Sequence, residues 1–270
     1  MNLLDLIFPK ALYCISCGRP LPPQGVAGIA LCGRCAGEIV WVRGRRCAKC
    51  GRPLADENPA PLCRDCASRA EHIFGRATAC ALYAGRAAEL IRDMKYRGKP
   101  YYAETLAAFM AARHLADADP GTGELPYYDF VAAAPMSAKK KAMRGFDQAA
   151  LLARGFARRA GIPYAADALV RTHETDVMSS LSGDNRRQNL RGAFALGCDM
   201  IKTAAGKRFL LADDVYTTGS TADACAETLF DAGAAGVDVI VFATGADVRH
   251  AEDRPAVVES PSQLRAKGPT

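Results

Sequence analysis

The sequence predicts an α/β protein in which a parallel sheet carries helices on both faces, preceded by a small cysteine-rich module. Eight of the 11 cysteines form four CxxC pairs within the first 70 residues. Beyond that point, apolar segments of strand length alternate with segments of helical periodicity. Half of the 270 residues are hydrophobic and 24% are charged, so the chain can build a core and is not mainly disordered.

The cysteine module shows the spacing of two metal sites. The pairs at Cys14 and Cys47 lie 33 residues apart, and each is followed by Gly and, after a turn-rich interval, by a second pair. Four thiolates close a tetrahedral site and leave no position for substrate, so we predict structural rather than catalytic zinc. The predicted ligand sets are Cys14, Cys17, Cys32 and Cys35 for the first Zn²⁺, and Cys47, Cys50, Cys63 and Cys66 for the second.

The positive charge of the module has two explanations. Residues 1–70 hold ten Lys/Arg and five Asp/Glu, a difference of +5, and two Cys₄ zinc sites would add −4, leaving about +1. The basic residues then balance the thiolates. The alternative is that the ribbons bind nucleic acid through Arg43, Arg45, Arg46 and Arg52. We predict that Trp41 packs at the junction of the two units.

The N-terminus and the hydropathy pattern predict a protein of the cytoplasm. The first apolar stretch contains Asp5 and lacks a basic start and a cleavage site, so we expect no secretory signal. Every uninterrupted apolar run is far shorter than the roughly 18 residues that cross a bilayer. A reducing compartment also favours metal over disulfides as the explanation of the paired cysteines.

The α/β region divides into alternating elements. The predicted strands cover residues 77–85, 128–135, 207–214 and 237–245. The predicted helices cover residues 87–98, 101–118, 146–161 and 221–234. We therefore expect three segments, namely a double zinc ribbon over 1–70, the α/β domain over 71–247, and a polar, largely disordered tail over 248–270.

The segment RFLLADDVYTTGST predicts a phosphate and ribose site. A buried strand ends in Asp213 and Asp214, and a short loop leads into a helix, which places a ligand at the carboxyl edge of the sheet. The acids suit a ribose diol, and the loop offers hydroxyls, a glycine and the N–H groups of a new helix to a phosphate. The alternative is an ordinary turn with a capping serine. The loop candidates are Thr217, Thr218, Gly219, Ser220 and Thr221.

The same segment resembles the phosphoribosyl-pyrophosphate (PRPP) motif of type I phosphoribosyltransferases. Three further stretches, AELIRDMKYRG, APMSAKKKAMRGFDQAALLA and RTHETDVMSSLSGDNRRQNLRGAF, stand between the cysteine module and this motif. In that order they resemble the ComF family of competence-associated, phosphoribosyltransferase-like proteins, over residues 1 to about 245. The resemblance implies a type I phosphoribosyltransferase-like sheet that binds PRPP with Mg²⁺.

The resemblance also implies roles for residues outside the motif. Lys139, Lys140, Lys141 and Arg144 match the position of the pyrophosphate loop, and Arg186 and Asn189 that of the flexible loop that closes over substrate. A solvated basic turn is the alternative for the lysines. The chain departs from the family pattern at Asp147, where Asn is usual, at Met178, where Gln is usual, and in the stretch AAAPMS.

Three functions remain open at this stage. The first is transfer of phosphoribose to an unidentified acceptor with release of pyrophosphate; purine-salvage enzymes carry an acid where Thr217 stands, which argues against an ordinary purine. The second is a non-catalytic PRPP- or nucleotide-binding factor in DNA uptake, whose ribbons contact single-stranded DNA or a protein partner. The third is an inactive fold with nucleic-acid-binding ribbons. The sequence leaves the acceptor and the oligomeric state undetermined.

Overall fold

A computed structural model describes residues 13–22, 28–55, 60–68, 72–119, 121–172, 190 and 192–246. Within these residues the central element is a four-stranded parallel sheet of order β1-β6-β5-β2. Its strands are β1 (Ala77–Leu82), β2 (Phe130–Ala133), β5 (Arg208–Tyr216) and β6 (Gly236–Thr244). A separate antiparallel pair is formed by β3 (Leu169–Arg171) and β4 (Phe194–Leu196).

The helices of the described residues fall into two groups. The ribbon module holds two short ones, α1 (Gly33–Gly37) and α2 (Arg64–Ser68). The sheet domain holds α3 (Gly85–Tyr96), α4 (Tyr102–Leu115), α5 (Ala138–Arg144), α6 (Gln148–Ala160) and α7 (Ser220–Asp231). All eight predicted strands and helices are present, with ends that differ from the prediction by at most three residues.

Alternation along β5 sends side chains into two cores. Phe209 and Leu211 face a core that includes residues of α7, whereas Leu210 and Ala212 face a core shared with α3, α4 and α6. A strand that is apolar on both faces is the pattern of a covered parallel sheet. The predicted α/β fold class, a parallel sheet with helices on both faces behind a small cysteine-rich module, is confirmed.

Helix α5 was not among the predicted helices. The Ser137 side chain accepts a hydrogen bond from the Lys140 amide at 3.4 Å, and Gly145 ends the helix with a φ of 79°. These two caps stabilise a segment of only seven residues, which is too short for a readable apolar period. Asp147 then caps α6 by accepting from the Ala150 amide at 3.0 Å, so the acid that replaces the family's Asn serves as a helix cap.

The two ribbons repeat one backbone pattern. In the first, the Cys14 amide donates to the Arg19 carbonyl at 2.7 Å, and in the second the Cys47 amide donates to the Arg52 carbonyl at 2.8 Å. Each knuckle turns through a glycine of positive φ. A short helix, α1 or α2, follows the first cysteine of each second pair. The 33-residue repeat of the sequence is therefore a repeat of structure.

The chain between the ribbons lies along the edge of the sheet. The Val42 amide donates to the Cys80 carbonyl at 2.8 Å, and the Leu82 amide donates to the Val40 carbonyl at 2.8 Å. This antiparallel contact covers the free edge of β1. Trp41 packs its ring 4.7 Å from that of Phe109, so the prediction that it sits between the ribbons is wrong. It joins the module to the sheet domain.

None of the helices in the described ranges is both long and apolar enough to span a bilayer. The predicted tail over 248–270 lies outside the described residues.

Candidate functional site

The eight paired cysteines form two clusters with zinc geometry. Within each predicted set of four, the sulfur atoms all lie within 4.8 Å of one another. The Sγ atoms of Cys17 and Cys32 are 3.7 Å apart, and those of Cys50 and Cys63 are 3.6 Å apart. A tetrahedral Zn²⁺ with Zn–S bonds of about 2.3 Å places its sulfurs about 3.8 Å apart. Both predicted ligand sets are brought together and fit structural zinc.

The acid–base chemistry of the first cluster also calls for a cation. Burial opposes ionisation of the Cys14 thiol, but the backbone amides of Cys32, Cys17 and Ser16 donate to its sulfur and lower its pKa to about 6. Burial raises the pKa of the Cys35 thiol to about 12. Neighbouring thiols at this spacing resist common ionisation because their charges repel. A bound Zn²⁺ removes that conflict by stabilising four thiolates together.

The predicted phosphate loop lies at the carboxyl edge of the sheet. Strand β5 ends at Tyr216, the chain turns through Gly219 with a φ of 80°, and α7 begins at Ser220. The hydroxyls of Thr218 and Ser220 are 2.9 Å apart. Asp213 and all the loop candidates line one small, solvent-open cleft. One acid and the hydroxyl-rich loop therefore share a cavity, with the first amides of α7 beside it.

The two adjacent acids point to opposite faces of β5. Asp213 lines the cleft, and burial together with the neighbouring Asp214 raises the pKa of its carboxyl well above the usual range. Asp214 is buried on the other face, where its carboxylate pairs with the Lys95 ammonium at the end of α3. Burial opposes the charge on Lys95, but Asp214 outweighs it and raises the Lys95 pKa. No local sequence pattern identified Lys95, because its partner Asp214 lies 119 residues away in the chain.

The predicted pyrophosphate cations follow β2 on the same edge. The segment predicted as a loop is the helix α5. Its side chains Lys139, Lys140 and Lys141 are exposed. Arg144 donates to the Gln148 side chain at 2.7 Å, and its guanidinium lies 4.9 Å from the ring centre of Tyr96 in α3. Because Tyr96 follows Lys95 at the end of α3, the Arg144 guanidinium of α5 lies beside the helix end that carries Lys95.

Three predicted or noted positions lie outside the described residues. They are Arg186, Asn189 and Met178.

The arginines considered for nucleic acid do not share one exposed surface. Arg46 pairs with Asp117 at 3.0 Å, and Arg52 is buried and pairs with Asp65 at 2.6 Å. Trp41 is half-buried under Phe109 and donates its indole N–H to the Ala36 carbonyl at 3.1 Å. Only Arg43 and Arg45 are exposed among the four arginines. The four arginines therefore do not form one exposed phosphate-binding patch.

Comparison with known proteins agrees with this architecture. Residues 3–67 match the double zinc ribbon domain family. The chain is 32% identical over 165 residues to the DNA utilization protein YhgH of Escherichia coli strain K12, covering 61% of this chain and 70% of the relative. It is 30% identical over 151 residues to competence protein F of Haemophilus influenzae, covering 56% of this chain and 64% of that one.

Solved structures resemble the chain more distantly. A hypoxanthine phosphoribosyltransferase of Staphylococcus aureus aligns over 61% of this chain and 71% of its own, with 13% identity and a TM-score of 0.32. A glutamine PRPP amidotransferase from B. subtilis aligns over 50% of this chain at 21% identity, also with a TM-score of 0.32. That alignment spans a quarter of the amidotransferase.

The parallel sheet and the two cysteine clusters together define an α/β protein with a double zinc ribbon. The identity shared with the DNA utilization protein over most of that relative's length narrows the class further. The chain belongs to the ComF family of competence proteins.

Proposed function

We propose that the chain binds PRPP with Mg²⁺ at the carboxyl edge of its sheet and transfers the phosphoribosyl group to an acceptor, releasing pyrophosphate. The observation that carries this proposal is the cleft that Asp213 shares with the loop from Thr217 to Thr221. A carboxylate for a diol and a hydroxyl-rich helix start for a phosphate are the two recognition elements of a ribose 5-phosphate.

The loop supplies the phosphate contacts. Hydroxyls of Thr217, Thr218, Ser220 and Thr221 donate to the phosphate oxygens, and the free amides at the start of α7 add further donors. Gly219 adopts a φ of 80°, a conformation that side chains disfavour, and it lets the turn close tightly. The 5′-phosphate is therefore held by neutral donors and by the helix dipole.

The acids and cations hold the rest of the donor. Asp213 accepts from a ribose hydroxyl inside the cleft, whereas Asp214 must release Lys95 before it can do the same. Lys139, Lys140, Lys141 and Arg144 bind the pyrophosphate. Mg²⁺, when bound, neutralises charge on the departing group.

Transfer breaks the bond between C1 of the ribose and the pyrophosphate oxygen, and the electron pair leaves with pyrophosphate. A lone pair of the acceptor forms the new bond to C1. The chain's cations stabilise the leaving charge, because it develops as this bond lengthens. Thr217 stands where purine-salvage enzymes carry an acid, so the acceptor is not an ordinary purine.

A second candidate is supported by the relatives' names, which refer to DNA utilization and competence. On this proposal the chain is a PRPP- or nucleotide-binding factor without turnover in DNA uptake. Its zinc ribbons contact single-stranded DNA or a protein of the uptake apparatus. The protein acts in the cytoplasm in either case.

Both candidates are tested with one reaction. Full-length protein is incubated with Mg²⁺, labelled PRPP and a panel of bases, amines and single-stranded DNA, and pyrophosphate is measured. Acceptor-dependent release that is lost in Asp213→Asn supports transfer. Binding is measured in parallel by calorimetry with PRPP and with nucleotides. Binding of PRPP without release by any acceptor rejects transfer in favour of the non-catalytic role, and failure to bind PRPP or any nucleotide rejects both.

A further inference from the structure

The second zinc ribbon reaches the phosphate loop through one buried side chain. The Arg52 side chain is only 7% exposed and lies two residues after the ligand Cys50. One end of its guanidinium pairs with Asp65 at 2.6 Å, and the other donates to the carbonyl of Thr217. Asp65 itself lies between the ligands Cys63 and Cys66. A planar guanidinium can make both contacts at once, which a lysine cannot.

The contact with Thr217 lies outside the ligand cleft. Thr217 lines the cleft, but Arg52 does not, and its guanidinium lies 5.9 Å from the ring centre of Tyr216. A carbonyl that turned into the cleft would place an acceptor oxygen against the phosphate. Arg52 binds this carbonyl on the side of the loop away from the cleft. The hydroxyl and amide donors of the loop can then point into the cleft.

A second set of contacts holds the same loop from the chain that follows the second ribbon. The Tyr216 hydroxyl is 3.2 Å from His72 Nε2, and His72 Nδ1 is 2.8 Å from the Asp223 carboxylate. Asp223 also accepts from the Ile73 amide at 2.9 Å. A Cβ on Gly219 would lie 2.5 Å from the Tyr216 hydroxyl oxygen, so this group packs directly against the turn. The loop is therefore bounded on one side by the ribbon and the residues after it.

The first ribbon supplies an internal comparison. Both knuckles have the sequence CxxCGRPL, and Arg19 is the equivalent of Arg52. The backbone carbonyl of each arginine accepts from the first cysteine of its knuckle. The Arg19 residue is exposed, whereas Arg52 is buried against the loop. The same motif position thus has two different surroundings.

We propose that Arg52 is a positioning residue that makes the second zinc ribbon part of the phosphoribosyl site, while the first ribbon has no share in it. The identity of the ligand, PRPP, rests on the proposed function. The ordering of the loop by Arg52 is a property of the protein without ligand and can be measured separately. Loss of the guanidinium frees the Thr217 carbonyl and loosens the loop. The phosphate donors then lose their preformed arrangement, which weakens binding of PRPP.

The test compares Arg52→Met with its matched control Arg19→Met in the full chain. Amide hydrogen exchange is measured by mass spectrometry over residues 216–223 without ligand, zinc is measured by elemental analysis, and PRPP·Mg²⁺ binding is measured by calorimetry. In Arg52→Met, loop exchange should become about tenfold faster and PRPP affinity should fall about tenfold or more, with two Zn²⁺ retained. Arg19→Met should match wild type in every measurement.

Each outcome has one consequence. Loop exchange in Arg52→Met equal to that in Arg19→Met overturns the positioning role. Faster loop exchange in a protein whose wild type does not bind PRPP supports the positioning role and rejects the proposed ligand. If Arg52→Met does not fold, Arg52→Lys replaces it, because it keeps the charge beside Asp65 but cannot span to Thr217. Wild-type loop exchange in Arg52→Lys would then overturn the proposal.

Discussion

The two zinc ribbons share a sequence pattern but contact different parts of the sheet domain. The first meets helix α4, where the Tyr102 hydroxyl donates to the Ile15 carbonyl and Thr105 accepts from the Ala30 amide at 3.0 Å. The second meets β1 through the Lys49 carbonyl and the loop after β5 through Arg52. The repeated cysteine spacing therefore specifies the two metal sites, whereas the residues around each ribbon determine which part of the sheet domain it contacts.

The largest expected effect is on the metal clusters themselves. Cys50 is 1% exposed in the core that includes β5, whereas its equivalent Cys17 is exposed. A structural zinc contributes on the order of 10 kcal/mol to the folding of an isolated module. Cys50→Ser should therefore destabilise the whole domain, and Cys17→Ser should leave the sheet domain folded with one Zn²⁺. Thermal unfolding and zinc content measure this, and equal loss of Tm in the two variants would contradict the asymmetry.

A smaller difference is expected at the matched glycines of the knuckles. Gly18 and Gly51 have φ values of 71° and 69°. A Cβ at Gly51 would collide with the backbone carbonyl of Ala77. A Cβ at Gly18 would meet open space, since in the part of the chain that the structure describes no atom beyond its chain neighbours lies within 4 Å of it. Gly18→Ala should cost about 1 kcal/mol from backbone strain alone, and Gly51→Ala about 3 kcal/mol or more. Denaturant unfolding measures the free energy of unfolding of both variants. A similar loss in the two would show that Gly51 does not pack tightly against β1.

The adjacent acids extend the comparison to the two faces of β5. Asp213 has a folded pKa above its unfolded value near 4, so its ionised form costs stability at neutral pH. Asp213→Asn should raise Tm at pH 7, and this gain should vanish as the pH falls below about 4, where both states are protonated. Asp214→Asn should lower Tm at pH 7, because Lys95 loses its partner. A lower Tm for Asp213→Asn at neutral pH would refute the burial argument.

The smallest effects are expected from two tyrosine hydroxyls. Tyr102→Phe removes a hydrogen bond to the first ribbon, and Tyr216→Phe removes one to His72 behind the loop. Each should cost about 1 kcal/mol of stability. Of the two variants, only Tyr216→Phe should also weaken PRPP binding, because Tyr216, unlike Tyr102, packs against Gly219. Weaker PRPP binding in Tyr102→Phe would show that the first ribbon also influences the site.

Local patterns in the sequence predicted most of the architecture. Apolar periodicity located the strands and helices, and cysteine spacing identified both metal clusters, because each of these signals lies within one short stretch of the chain. The acids and the TTGST loop could be placed on one edge because the carboxyl ends of parallel strands meet there. Helix α5 was missed because its caps, rather than a period, define it.

Contacts across long sequence separations could not be predicted. Arg52 and Thr217 are 165 residues apart, and Lys95 meets Asp214 across 119. Both pairs depend on how the ribbons and helices dock on the sheet, which no local period encodes. For the same reason the sequence suggested Arg46 and Arg52 for nucleic acid, although the fold commits them to Asp117 and Asp65.

The central claim is that the loop beside the second ribbon is the phosphate cradle of a PRPP site. Gly219→Val is a poor test, because its side chain would strain the turn and strike Tyr216 and His72. Thr218→Val keeps the shape and removes one hydroxyl from a residue that lines the cleft. Calorimetric titration with PRPP·Mg²⁺ should show one site per chain in wild type and an affinity about tenfold lower in Thr218→Val. No heat in wild type, or equal affinity in the two proteins, would contradict the claim.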